Sequence, residues 1–194
     1  MSTVTASRPL LVLGPVARAR VKSAALVLAG AAWVAALGQV SIPLGFTPVP
    51  LSLGTFAVLS AGSVLGAKRG AAAMVLFLAA GALGAPVFAG HQSGLGLPTL
   101  GYVLGYILAA SVAGCAVEGG LDRSTLTATA AMAAASALVY LPGVSYLVLA
   151  TPLGWADGIA QGMIPFLLGD LAKVVLAVAI LPAAAQLGRA VSRR

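Results

Sequence analysis

Residues 164–182 read IPFLLGDLAKVVLAVAILP, an apolar run carrying two charges three positions apart, Asp170 and Lys173. They are the only charges inside any long apolar run of the chain. The run is long enough to cross a bilayer, whose hydrocarbon core takes about 20 apolar residues of helix. A charge at the centre of a membrane helix costs roughly 2.5–3.5 kcal/mol on insertion scales. Residues three apart share one helix face, so the two charges form either a self-neutralising pair or the polar floor of a ligand site.

The rest of the chain supports a membrane solvent. Charged residues make up 8% of the 194 positions and hydrophobic residues 60%, with a mean hydropathy of +1.06. A soluble domain is about 25% charged, so this surface is not one that water can cover. The length suits one integral membrane domain without a separate soluble catalytic domain. The single cysteine, Cys115, lies in an apolar run and reads as a small packing residue.

Six candidate spans follow from the apolar runs, at about 23–42, 51–66, 70–89, 99–117, 125–150 and 160–187. The fifth is expected to break at Pro142-Gly143, and the sixth carries Pro165 and Pro182. Such breaks persist where neighbouring helices or a cavity satisfy the freed backbone groups, which makes these spans candidates for lining a site. The expected fold is an all-α six-helix membrane bundle. Residues 1–22 form an N-terminal segment, 23–188 a single transmembrane domain, and 189–194 a basic tail. Small-xxx-small spacings at Gly62/Gly66, Gly101/Gly105 and Gly158/Gly162 suit close helix packing. Ala25, Ala29, Ala32 and Ala36 give the first span an alanine-rich face, fit for internal packing or for a second membrane protein.

Basic residues set the orientation. Arg8, Arg18, Arg20 and Lys22 precede the first span, Lys68-Arg69 and Arg123 occupy two connections, and Arg189, Arg193 and Arg194 follow the sixth. The connections 43–50, 90–98 and 151–158 contain no Lys or Arg. The positive-inside rule then puts both termini in the cytoplasm. The net charge of +7 is a topology signal and not a nucleic-acid footprint. Lys173 lies fourteen residues before Leu187, or about 21 Å at 1.5 Å per residue, which places the pair in the outer half of the membrane.

Catalytic groups are scarce. His91 is the one histidine, and the acids are Glu118, Asp122, Asp157 and Asp170. No paired-histidine or Cys-x-x-Cys spacing exists for a metal, and GSVLGAKR from Gly62 lacks the ending of a nucleotide-binding loop. Three other classes remain open on the residues alone: a channel, a binding component for a different small molecule, and an intramembrane enzyme using Lys173 as nucleophile.

Four segments, in order, carry a resemblance: GQVSIPLGFTPVPLSLGTFAVLSAGSVLG (38–66), GALGAPVFAG (81–90), GLPTLGYVLGY (96–106) and PFLLGDLAKVVLA (165–177). Together they resemble the BioY family, biotin-specific substrate-binding components of bacterial energy-coupling factor (ECF) transporters. The resemblance covers nearly all of the chain beyond the first twenty or so residues. It implies a multi-pass protein of the bacterial plasma membrane, without cofactor or metal, that captures biotin from outside. It also implies partners, a membrane coupling subunit and two cytoplasmic ATPases, with the Ala25–Ala36 face against the coupling subunit. This chain departs from the family at Gly54, where many members carry glutamine, and at Gly90, where many carry a polar residue.

Biotin's ureido ring sets N–H donors beside a C=O acceptor, with a carboxylate at the end of an apolar tail. Asp170 and Lys173 are expected to accept and donate to that head. His91, Gln92, Ser93 or backbone N–H groups are expected near the carboxylate, and Phe88, Tyr102 and Tyr146 against the ring and tail. Gln39 and Thr55 are candidates for helix-to-helix hydrogen bonds, and Thr99 for the cap of the fourth span.

Overall fold

The computed structural model describes residues 14–193. The N-terminal segment assigned to 1–22 therefore lies mostly outside the described residues, as does the last residue of the basic tail. Helix α1 runs Pro15–Gly38, with proline in its first turn, where a missing N–H leaves no bond unmade. It buries Gly30, Ala31, Val34 and Gly38 against its neighbours. Ala25, Ala29, Ala32 and Ala36, on the opposite side, are all exposed. Of the two fates open to these alanines, internal packing is the one their exposure excludes within this chain.

The connection after α1 is more ordered than a plain loop. Strands β1 (Ser41–Ile42) and β2 (Leu51–Ser52) pair antiparallel, Ser41 opposite Ser52 and Ile42 opposite Leu51. Pro43, Pro48 and Pro50 lie between them and lack the N–H groups that would extend either a ladder or a helix. The second span is consequently shorter than expected. Helix α2 occupies Gly54–Leu65, 12 residues or about 18 Å at 1.5 Å per residue. It is buried on almost every side and forms the axis of the bundle. A Cβ at Gly62 would run into the backbone of Ala110, so glycine here is a condition of the helices' approach.

Helix α3 spans Ala67–Ala82, ending well short of the expected residue 89. Gly66, at φ 79°, makes the single-residue turn between α2 and α3. The Ala67 N–H then donates to Glu118 Oε1 at 3.0 Å, a cap supplied from across the bundle. Helix α4 (Leu100–Glu118) begins after Thr99, whose side chain makes no capping bond, contrary to the sequence expectation. Its glycines sit on neighbouring backbones: Gly101 on Pro142, Gly105 on Val139 and Gly114 on Ala67.

The fifth span divides into α5 (Thr125–Ala137) and α6 (Tyr140–Ala150). The interruption falls at Leu138-Val139 and not at Pro142-Gly143. Pro142 stands in the first turn of α6, where backbone N–H groups have no intrahelical partner to lose. The sixth span also divides, into α7 (Trp155–Gly162) and α8 (Leu167–Arg193), separated by a turn of 3₁₀-helix at Ile164–Phe166. Pro165 lies in that turn, whereas Pro182 is carried inside α8.

Among the described residues, four runs are long and apolar enough to cross a membrane: Val16–Gly38, Leu100–Glu118, Thr125–Ala150 and Trp155–Ile180. The protein is a mostly helical membrane protein.

Candidate functional site

The break at Met163–Phe166 decides where the charges sit. Because α8 starts at Leu167, Asp170 falls in its first turn, where the helix dipole favours a negative charge. Asp170 and Lys173 are each only 8% exposed. Lys173 Nζ donates to Asp170 Oδ1 at 2.8 Å. The other carboxylate oxygen, Oδ2, accepts from the Tyr140 hydroxyl and, at 3.4 Å, from Ser136 Oγ. Among the described residues no buried side-chain nitrogen or oxygen lacks a partner, so the pair is fully compensated where an unpaired charge would be costly.

The pair forms part of the wall of a cavity with about 730 Å³ of empty space, its open mouth included. Its apolar wall includes Val34, Phe77, Phe88, Val103 and Phe166. Polar groups reach it from Ser52, Thr55, Thr99, Tyr102, Tyr106 and Tyr140. The aromatic rings are locked to one another: Phe77 meets Phe88 edge-on at 5.4 Å and stacks on Tyr106 at 6.4 Å. The space a Cβ at Gly54 would take is filled by the Tyr106 hydroxyl, with Ser52 Oγ beside it.

Of the side chains expected at a binding site, Asp170, Lys173, Phe88, Thr99, Tyr102 and Thr55 line this cavity. Gly90, His91, Gln92, Ser93, Tyr146 and Gln39 do not. The physical reason is the turn after α3. The Phe88 N–H donates to the Gln92 carbonyl at 3.1 Å, and Gly90 and His91 both take positive φ, 68° and 59°. This closed turn drives Phe88 onto Gly81 and leaves His91 and Gln92 exposed. Tyr146 lies across the chain, its hydroxyl donating to the Leu95 carbonyl at 3.0 Å.

Gln39 bonds to this turn, not to another helix. Its Nε2 donates to the carbonyls of Val87 (3.0 Å) and Phe88 (3.1 Å), and its Oε1 accepts from the His91 N–H (2.9 Å). Replacing Gln39 with alanine is expected to lower stability by about 1–3 kcal/mol, through the backbone groups left unpaired. A thermal unfolding midpoint in detergent equal to that of the unaltered protein would show that the clamp does not hold the turn.

Sequence reasoning missed Tyr140, Ser136, Tyr106 and Ser52. Their one available signal was a polar atom in an apolar run, which is shared by many side chains that only pack. Their convergence depends on helices 30 or more residues apart. Segments at or beside the connections without Lys or Arg are tied to other parts of the bundle. Thr47 Oγ1 donates to the Gln161 carbonyl at 2.9 Å, and Gln39 ties the end of α1 to residues 87–91. The cavity wall includes Val49, Pro50 and Ala89, so it lies at this end of the bundle.

Comparison with known proteins assigns the family. The "Biotin transporter BioY" of Rhizobium etli is 37% identical over 172 residues, covering 83% of this chain and 88% of that protein. That of Rhodobacter capsulatus is 39% identical, covering 75% and 84%, and that of Thermotoga maritima 36%, covering 80% and 87%. The crystal structure of the S-component for biotin from an ECF-type ABC transporter superposes with a TM-score of 0.75 at 24% identity. It covers 84% of this chain and 90% of that one, and is evidence of a common fold. The BioY family model matches residues 9–190, which includes every element that builds the cavity. With that match and relatives of this identity and coverage, the chain belongs to the BioY family.

Proposed function

We propose that this protein is the biotin-capturing membrane component of a bacterial ECF-type transporter, and that it is not itself an enzyme. The observation that carries the reading is the Lys173–Asp170 pair in the cavity wall. An ammonium bonded to a carboxylate oxygen at 2.8 Å sets a donor beside an acceptor, the complement of a ureido edge with its C=O beside N–H. Lys173 has three N–H donors and gives one to Asp170, which leaves two for a carbonyl oxygen. The apolar wall suits the fused ring and the aliphatic tail. The hydroxyls of Thr55, Thr99 and Tyr106 offer donors to a carboxylate within the cavity, a role the exposed His91 and Gln92 are less suited to fill.

The same reading gives six crossings in one domain, 23–188, with both termini in the cytoplasm of a bacterial inner membrane. The absence of Lys and Arg from 43–50, 90–98 and 151–158, with Val49, Pro50 and Ala89 in the cavity wall, supports it. Helices α2 and α3 are too short to cross alone. They are read as completing their crossings through the irregular segments 39–53 and 83–99, whose exposed apolar side chains Val40, Ile42, Phe46, Leu83 and Leu95 suit a lipid-facing or interfacial position. Biotin enters from the outer end, and the exposed Ala25, Ala29, Ala32 and Ala36 receive the coupling subunit, which joins the protein to its ATPases.

Titration of the purified, detergent-solubilised protein with biotin is expected to show one site per chain, and no comparable binding of thiamine or riboflavin. Preferential binding of another vitamin would overturn the substrate while leaving the family assignment intact.

A further inference from the structure

Tyr140 lies in the cavity wall with its hydroxyl committed to Asp170 Oδ2. Ser136 Oγ donates to the same oxygen at 3.4 Å, and Lys173 holds the other. A carboxylate has about four lone-pair sites, two on each oxygen. Oδ2 is therefore filled by the protein itself, and one site remains, on Oδ1 next to the ammonium. The phenol has little freedom to leave. Its ring meets Tyr102 edge-on at 6.3 Å, and Tyr102 is itself tethered by a 2.8 Å bond to the Gly162 carbonyl. The Tyr102 ring also fills the space a side chain at Gly143 would need.

We propose that Tyr140 is a specificity-determining positioning residue: by occupying Oδ2 it restricts Asp170 to one ligand N–H, so the site selects a neutral head with an acceptor beside a single donor. A cationic head with two donors and no acceptor finds only one free lone pair, and Lys173 repels it. Tyr140 thus discriminates by removing an acceptor from competing ligands, a selection against the wrong partner and not an added contact to the right one. The inference rests on biotin as the ligand and assigns the reason for choosing it over a close analogue.

The probe is 2-iminobiotin at pH 7, in which a protonated imine replaces the ureido oxygen and the head becomes a guanidinium. The unaltered protein is expected to bind biotin far more tightly than this analogue. In Tyr140→Phe, Oδ2 regains a lone pair, and the ratio of the two dissociation constants is expected to fall about tenfold, the worth of one charge-assisted hydrogen bond. Ser136→Ala is expected to move the ratio the same way by about threefold, because its bond is longer. It also carries the test should Tyr140→Phe fail to fold. A phenol that only packs would lower both affinities together, so an unchanged ratio in the folded variants overturns the inference. Unaltered protein that binds neither compound overturns the biotin reading and this inference with it. Biotin binding with an unchanged ratio overturns this inference alone.

Discussion

Replacing Lys173 with alanine is expected to weaken biotin binding by about a hundredfold or more, the largest effect of any single cavity substitution. Two losses combine. The ligand carbonyl loses a charged donor, worth about 1.5–3 kcal/mol, where 1.4 kcal/mol is a factor of ten. Asp170 meanwhile keeps only the hydroxyls of Tyr140 and Ser136 around a carboxylate that is 8% exposed. Removing one partner of a buried ion pair is expected to cost about 3–5 kcal/mol, because the remaining charge is stranded. Asp170→Asn is milder, since the amide oxygen can still accept and an uncompensated ammonium reaches the cavity space. Calorimetric titration of monodisperse protein separates the outcomes. Affinity within a few-fold of the unaltered protein, combined with a lower unfolding temperature, would assign the pair to structure and remove it from the ligand's contacts.

The second large effect is expected far from the cavity. Changing Ala32 or Ala36 to tryptophan should abolish accumulation of labelled biotin by cells while leaving binding by the isolated protein almost unaltered. Both alanines are exposed on α1, while Ala31 and Val34, on its opposite side, are buried in the bundle. A bulky side chain at 32 or 36 therefore meets nothing in this chain, but it keeps a partner helix from the close approach that small residues permit. Uphill movement needs energy from outside, because a ligand site can only bias an equilibrium by its differential affinity. Should binding and uptake fall together, the alanine face serves this protein's own folding and the partner docks elsewhere.

Legibility in the sequence followed the range of the interactions. Membrane residence needed only composition, since an 8% charged surface cannot be hydrated. The Asp170–Lys173 contact needed only the helical period, which brings residues three apart together within a turn. The exposure of Ala25, Ala29, Ala32 and Ala36 on one stripe of α1 follows from the same period. Prolines were a weaker guide. Pro165 marks a real interruption, whereas Pro142 is absorbed in the first turn of α6, and the break moves to Leu138-Val139. A proline's cost depends on which N–H would otherwise be bonded, and helix ends set that.

The cavity required contacts between distant parts of the chain. Gly54 reads as a missing side chain until the Tyr106 hydroxyl is found in its place. Gln39 reads as a bond between helices until its amide is found clamping residues 87–91. The PVFAGH segment reads as a set of loop donors until its turn buries Phe88 and leaves His91 outside. One-dimensional patterns carry the solvent, the helical period and the pairing of near neighbours, because backbone geometry fixes those locally. Which hydroxyl fills which lone pair is settled only when glycines such as Gly62, Gly105 and Gly114 let helices meet backbone to backbone. At that spacing a displacement of one ångström exchanges a hydrogen bond for a clash.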